Sequence, residues 1–240
     1  MNKSNTYIYI YSTVMVVLVA ALLALAATVL KPFQLKNLEI AKKLEILHSV
    51  DKGWDTGTVD NKTKYVESEY DKYITQTFVL NPAGDTLSNV DAFTLEAAVE
   101  MKKDSTERAY AVFLCKKDDG STNYIFPVLG KGLWGPIWGY VAIAADMNTI
   151  TGVFFDHQGE TPGLGAEINT RLFQKQFVNK KIFDEAGTFT SVKVLKSNEP
   201  KIPDHSVDAI SGGTITSKGL EATIFDSMKN YLNFLKKQKQ

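Results

Sequence analysis

The chain has 240 residues, of which 44% are hydrophobic and 22% charged, a composition typical of a folded protein rather than a disordered one. Its 27 basic and 27 acidic residues cancel, so the composition gives no electrostatic sign of nucleic-acid binding. The single cysteine, Cys115, excludes an intrachain disulfide, and its apolar neighbours predict a buried thiol rather than a nucleophile. The three histidines lie far apart, and their spacing predicts no metal site.

Residues 7–30 carry no charged side chain and are almost entirely apolar or aromatic. Because an α-helix rises about 1.5 Å per residue, this stretch is long enough to cross a hydrocarbon core of about 30 Å. We therefore expect a short tail over residues 1–6 and then a transmembrane helix. A cleaved signal peptide is the alternative, but the apolar run is longer than a typical signal peptide and continues past its small residues.

Lysines lie on both sides of this span, with Lys3 before it and four more shortly after it. Counted in this way, the positive-inside rule places the rest of the chain in the cytoplasm. Residues 31–48 show helical spacing of leucine and isoleucine, which predicts a stalk helix.

The first part of the body, residues 49–105, mixes short elements. Its composition predicts a loop (50–63), a helix (64–74), a strand (75–80), a turn (81–85) and a weak helix (89–103). From residue 106 onward the pattern changes to strands, over 109–116, 123–129, 140–145 and 149–155, with turns between them. Four strands in succession predict an α+β fold, in which an antiparallel sheet packs with helices.

Residues 130–135 match the pattern G-x-G-x-x-G. A dinucleotide-binding domain needs a helix directly after this pattern, but Pro136 and a strand-like run follow instead. We therefore interpret residues 130–139 as an aromatic-bearing loop between two strands.

A glycine-rich loop, residues 156–165, leaves the last of these strands and leads to a helix predicted over 166–177. Gly163 and Gly165 allow close backbone approach or a positive φ, and Glu160 and Thr161 add polar groups. On propensity alone this is an ordinary strand-to-helix loop.

Residues 211–217 hold four hydroxyl side chains and two glycines, directly before an amphipathic helix predicted over 219–236. Such a turn suits an anionic group, because unpaired backbone N–H groups and the helix dipole point at it. The alternative is an ordinary helix start with Thr216 or Ser217 as N-cap.

Two motifs now point to one family. The sequence Asp208-x-x-Ser211-Gly212-x-Thr214 resembles the covalent flavinylation motif Asp-x-x-Ser/Thr-Gly-Ala-Thr/Ser, with Gly213 where alanine is usual. The sequence Glu-Thr-Pro-Gly-Leu-Gly at 160–165 resembles the second signature of the same FMN-binding domain family. The two signatures stand in family order and about fifty residues apart, which is far more specific than either alone.

Together with the single span, these signatures resemble the NqrC-type family, the C subunits of sodium-translocating NADH:quinone oxidoreductases. The G subunit of Rnf complexes shares both signatures, but residues 131–135 look more like the NqrC type. The resemblance is clearest over residues 125–235 and thin over 50–105.

The resemblance implies that FMN is joined through its phosphate to Thr214 by a separate flavin transferase that splits FAD. It implies a single-pass protein of the inner membrane whose body is periplasmic, against the lysine count. The chain would carry electrons among other membrane subunits of an NADH:quinone reductase, without a catalytic residue or a metal. The residues expected around the phosphate are Asp208, Ser211, Gly212, Gly213, Thr216 and Ser217. Those expected near the ring are Glu160, Thr161, Gly163, Leu164, Gly165, Lys131 and Trp134, with Trp138 as an alternative to Trp134.

Two other functions are compatible with parts of the pattern. A membrane-anchored scaffold would use the same domain with Thr214 unmodified. A serine hydrolase would use Ser211, but this residue lacks the G-x-S-x-G elbow and no His/Asp pair is suggestively placed.

Overall fold

The computed structural model describes residues 5–239 and divides into two compact units, Met1–Lys42 and Lys43–Gln240. The helices are α1 (Asn5–His48), α2 (Lys62–Tyr73), α3 (Ala97–Glu100), α4 (Arg171–Gln174), α5 (Thr214–Lys229) and α6 (Leu232–Gln238). The strands are β1 (Ile74–Leu80), β2 (Thr86–Leu87), β3 (Tyr110–Lys116), β4 (Thr122–Lys131), β5 (Pro136–Ala144), β6 (Ile150–His157), β7 (Lys193–Leu195) and β8 (Ser206–Asp208).

The two helices expected over residues 7–30 and 31–48 form the single helix α1. Pro32 lies inside it, where it removes one backbone hydrogen bond, but the leucine, alanine and lysine residues on both sides favour helix strongly enough to continue it. By length and composition, α1 is the one helix among the described residues that could cross a membrane, and none of its apolar window is buried.

The second unit is built on a six-stranded antiparallel sheet in the order β2-β1-β3-β4-β5-β6. This confirms the predicted α+β class and the four strands predicted from residue 106 onward. The sheet also includes β1 and β2, so residues 74–87 share it with the later strands.

The loop predicted over residues 130–139 is mostly strand. Strands β4 and β5 stay paired as far as Lys131 and Pro136, which leaves only residues 132–135 as a turn. The Gly132 N–H donates to the Gly135 carbonyl at 2.8 Å and closes this turn. The rejection of a dinucleotide-binding helix is therefore confirmed, because a strand follows the glycines.

Helix α5 lies across β4 at very short range. A Cβ added to Gly130 would fall 2.0 Å from the Thr223 hydroxyl, and one added to Gly219 would fall 2.5 Å from the Lys131 carbonyl oxygen. These glycines let helix and strand approach, and Leu220, Ile224 and Met228 are completely or almost completely buried in the core. Since Gly219 serves this contact rather than marking a boundary, α5 begins five residues before the predicted start at residue 219.

Three predicted helices are wrong in part. The helix predicted over 219–236 is divided, because α5 ends at Lys229 and α6 begins at Leu232. Of the helix predicted over 89–103, only the single turn α3 forms. The helix predicted over 166–177 is divided into the 3-10 helix Gly165–Asn169, α4 and the 3-10 helix Lys175–Phe177. Thr170 is extended (φ −76°, ψ 140°) and caps α4 by accepting a hydrogen bond from the Phe173 N–H, which explains the interruption.

The loop predicted over 50–63 contains a short 3-10 helix, Trp54–Gly57, and α2 begins at its end. The parallel pair of β7 and β8 was not predicted. Cys115 is buried as expected, and burial raises the pKa of its thiol to about 11.

Candidate functional site

The hydroxyl-rich stretch is divided by the helix start: residues 214–217 form the first turn of α5, and residues 211–213 precede it. Gly213 is the N-cap residue and makes no side-chain cap, so the predicted caps at Thr216 and Ser217 are wrong. Thr214 is the first helical residue and its side chain is half-buried. Within the described part of the chain, the backbone N–H groups of Thr214, Ile215 and Thr216 have no hydrogen-bond partner.

The hydroxyls of Thr216 and Ser217 lie inside the first turns of α5 and have partners elsewhere in the fold. The buried Ser217 hydroxyl oxygen accepts a hydrogen bond from the Ile210 N–H at 3.1 Å, which fixes the chain entering the turn. The buried Thr216 hydroxyl donates to Oε2 of Glu160 at 2.5 Å. Because the N-cap residue Gly213 has no side chain to accept from them, the three N–H groups at the start of α5 remain available to an anion.

Glu160 joins three segments of the site. Its side chain is buried, with only 4% of the residue exposed. Oε1 accepts the Trp134 backbone N–H at 2.9 Å, and Oε2 accepts the Thr216 hydroxyl. The carboxylate therefore ties the turn between β4 and β5 to the first turn of α5, and both of its oxygens are satisfied.

Two glycines make room for this carboxylate. A Cβ at Gly132 would lie 2.4 Å from Oε1 of Glu160, and a Cβ at Gly165 would lie 2.4 Å from both Oε2 and the Thr216 hydroxyl. Real side chains do not approach so closely. Any other residue at these positions would therefore displace the hydrogen-bonded group of Glu160, Trp134 and Thr216, which we call the clamp.

Leu164 and Gly212 bring the two motifs together. Gly212 has a φ of +73°, and a Cβ there would fall 2.5 Å from Cδ2 of Leu164. Glycine is therefore required at this position both by its backbone conformation and by its neighbour. Leu164 is 41% exposed, so it presents an apolar face beside the turn that precedes Thr214.

Exposed apolar side chains surround the start of α5. Besides Leu164, they are Leu133 and Trp134 on the β4–β5 turn and Ile215 on the helix, with Trp134 70% exposed. Trp138 differs, because it is half-buried on β5 and donates its indole N–H to Glu45 at 3.4 Å. Of the two tryptophans expected near the ring, Trp134 is therefore the more exposed, and its contact with a ring stays a prediction.

Asp208 makes no described contact with the start of α5 or with the exposed apolar side chains around it. It ends β8, its carboxylate pairs with Lys201, and its backbone N–H donates to the Gln176 side chain at 2.9 Å. Its side chain is 66% exposed. No described interaction joins Asp208 to the start of α5, so the geometry gives it no contact with a group held there.

The remaining expected residues lie on the surface of the same loops. Ser211, Thr161 and the Lys131 side chain are exposed and make no described side-chain hydrogen bond. Gly163 has a φ of +74° with open space beyond it, and its N–H donates to Glu167 at 3.1 Å.

His157 is a site residue that the sequence reasoning missed. Its Nδ1 accepts the Glu160 backbone N–H at 3.2 Å, so the proton of the neutral ring lies on Nε2. That Nε2 is buried without a partner among the described residues. The only signal in the sequence is that His157 ends β6 three residues before Glu160.

A family model of the FMN-binding domain matches residues 132–229, a range that contains the clamp, the glycines and Thr214. Residues 132–229 thus form a domain of the FMN-binding class.

Relatives narrow the class further. The C subunit of the Na(+)-translocating NADH-quinone reductase of Vibrio campbellii is 41% identical over 112 residues, which are 47% of this chain and 42% of that protein. The corresponding C subunit of Neisseria meningitidis is 41% identical over 131 residues, 53% of this chain and 50% of that protein. The matched stretch thus spans half or less of these curated relatives.

Solved structures match over a longer range. The crystal structure of the C subunit from Parabacteroides distasonis is 40% identical, with a TM-score of 0.76, over 86% of this chain and 96% of that one. NqrC of Shewanella oneidensis is 26% identical, with a TM-score of 0.67, over 83% of this chain and 98% of that one. The chain belongs to the NqrC family, the C subunits of Na(+)-translocating NADH-quinone reductases.

Proposed function

We propose that this chain carries FMN esterified through its phosphate to the Thr214 hydroxyl and serves in electron transfer within a sodium-translocating NADH:quinone reductase. The observation that carries the proposal is the position of Thr214. It lies in the matched FMN-binding domain, half-exposed, at a helix start whose three free N–H groups have no partner in the described part of the chain.

The residues present fit a phosphate at this position. A phosphoryl group on the Thr214 oxygen would lie next to the N–H groups of Ile215 and Thr216, which can donate to its oxygens. The positive end of the α5 dipole favours the same negative charge. Gly212 and Gly213 hold the turn in a shape that leaves this helix start open, and Ser217 locks that shape through Ile210.

The residues around the helix start also fit a flat apolar ring system. Leu164 and Trp134 offer exposed apolar surface, and Glu160 fixes the backbone that carries Trp134. Bound FMN would supply the capacity to accept and pass on electrons. Gly163, Gly165 and the Thr161 carbonyl shape the neighbouring loop, and the exposed Lys131 places a cation on the adjoining turn.

Asp208 takes a different role in this proposal from the one first expected. Because most of its side chain is exposed, Asp208 is accessible to the flavin transferase that attaches FMN rather than to the attached phosphate. Other membrane subunits of the reductase are the proposed electron partners.

We also propose that residues 7–30 anchor the chain in the inner membrane with its body on the periplasmic side. The exposed apolar surface of α1 supports the anchor. The lysines after the span argue for the opposite side. Protease added to spheroplasts tests the choice: digestion of the body is expected, and its protection would place it in the cytoplasm.

The attachment is tested by producing the full chain together with a flavin transferase and separating it on a denaturing gel. We expect a fluorescent flavin band that is absent from Thr214→Val, because valine has the shape of threonine without the hydroxyl. Thr214→Ser is the matched control and should keep the band. A Thr214→Val protein that remains fluorescent would show that another residue carries the flavin, and wild type without a band would favour the scaffold.

A further inference from the structure

A second cleft of about 400 Å³ lies in the unit that begins at Lys43, and it shares no residue with the candidate flavin site. It opens between the end of α1, the 3-10 helix Trp54–Gly57, β6 and the short helices that follow residue 164. Its volume is in the range of small-molecule sites, and most of its exposed lining is apolar.

One wall of the cleft is an aromatic stack with a cation on it. The His48 and Trp54 rings are parallel to within 3°, with centroids 3.8 Å apart. The Arg171 guanidinium lies 4.7 Å from the centre of the Trp54 ring and donates to Asp51 at 2.6 Å. Stacking and pairing hold this guanidinium in place while further N–H groups stay exposed, since 47% of the Arg171 side chain is accessible.

Two lysines add positive charge to the same cleft. Lys117 is half-buried and Lys175 is exposed, and neither side chain has a described partner. With Arg171 they contribute three positive charges against the single negative charge of Asp51. Burial lowers the pKa of His48 to about 4, so this ring is neutral near pH 7 and adds no charge.

The floor of the cleft is apolar. Val153 and Val178 line it beside Gly152. A Cβ at Gly152 would fall 2.3 Å from the Ser49 carbonyl oxygen, so β6 packs tightly against the residue that follows α1.

An apolar floor, an aromatic wall and an excess of positive charge favour one kind of ligand. A neutral apolar molecule would leave the cations without a partner, and a small inorganic anion would leave the floor uncovered. We propose that this cleft is a binding site for a small aromatic carboxylate, whose ring covers Val153 and Val178 and whose carboxylate pairs with Arg171 and Lys175.

Isothermal titration calorimetry on the full chain in detergent tests the site, with naphthalene-2-carboxylate as the probe and a detergent-only titration subtracted. Naphthalene-2-carboxamide is the matched neutral probe. We expect saturable binding of the carboxylate at one site, with affinity at least tenfold above that of the carboxamide. Equal affinity for the two probes would overturn the proposal, because the cations would then have no role.

Variants locate the binding. Lys175→Gln should lower the affinity for naphthalene-2-carboxylate about threefold or more, and Arg171→Gln should lower it about tenfold. The surface variant Lys236→Gln should leave this affinity unchanged. Arg171→Gln also leaves Asp51 without its partner and could unfold the protein. In that case the result for Lys175→Gln decides the test. Affinity within twofold of wild type in Lys175→Gln would place the probe elsewhere and refute the assignment.

Discussion

Helices α2 and α5 begin in opposite ways, although both follow polar turns. At α2 the Asn61 side chain accepts the Lys64 N–H at 3.0 Å, so the helix start is closed by its own chain. At α5 the N-cap is Gly213, and the nearby hydroxyls of Thr216 and Ser217 are committed to Glu160 and Ile210. The difference shows that hydroxyl density does not by itself make a cap, because the tertiary partners decide where each hydroxyl points.

The start of α5 is open because of its N-cap residue. Gly213 has no side chain to accept from the N–H groups of the first turn. The clamp around Glu160 has a separate role, because it fixes the Trp134 turn to the first turn of α5.

The largest effect is expected where the clamp is most crowded. Gly165→Ala would place a methyl group 2.4 Å from Oε2 of Glu160 and from the Thr216 hydroxyl. We expect a loss of about 3 kcal/mol in the free energy of unfolding, measured by urea denaturation, together with a reduced yield of attached flavin. Gly159→Ala, which has open space around it, is the matched control and should change neither.

A smaller effect is expected from removing one hydrogen bond of the clamp. Thr216→Val keeps the side-chain shape but leaves Oε2 of the buried Glu160 without its donor. We expect a loss of about 2 kcal/mol in the free energy of unfolding, because the carboxylate oxygen is desolvated and unpaired. A loss below about 0.5 kcal/mol would mean that Glu160 does not organise the site.

His48, which lies at neither of these helix starts, should make the free energy of unfolding depend on pH. Its folded pKa is lowered to about 4, mainly by burial, so the unfolded chain binds the proton first as the pH falls below about 6.5. Wild type should therefore lose stability between about pH 6.5 and 4, by roughly 1–2 kcal/mol after allowing for the exposed part of the ring. His48→Phe should lose less over that window, and parallel curves would show that His48 does not contribute.

The smallest effect is expected at the closed helix start. Asn61→Ala removes the side-chain cap of α2 and should lower the free energy of unfolding by about 1 kcal/mol. The flavin yield should stay at the wild-type level, because α2 takes no part in the site. A fall in flavin yield equal to that of Gly165→Ala would show that the start of α2 also contributes to the site.

The sheet and its turns could be predicted because their signals are local. Alternating apolar residues and the turn at Asp118 to Ser121 gave the β3–β4 hairpin, and Pro136 correctly excluded a helix after the glycines. The motif that predicts Thr214 as the attachment site is likewise one contiguous stretch, although the attachment itself stays a prediction. These features could be predicted without knowing the tertiary contacts of the residues involved.

The features that were missed depend on distant partners. Glu160 accepts from residues 26 positions before it and 56 positions after it, so its role as a clamp cannot be seen in the loop that carries it. Gly219 suggested a helix boundary because its contact with β4 is not visible in sequence. Strands β7 and β8 have three residues each, which is too short for a periodic pattern.

The most direct test of the account is the intact mass of the full chain, produced with and without a flavin transferase, followed by mapping of the modified peptide. The account predicts that the transferase adds the mass of one esterified FMN, and that the added mass lies on the peptide containing Thr214. An unmodified mass in the presence of an active transferase, or FMN mapped to another residue, would contradict it.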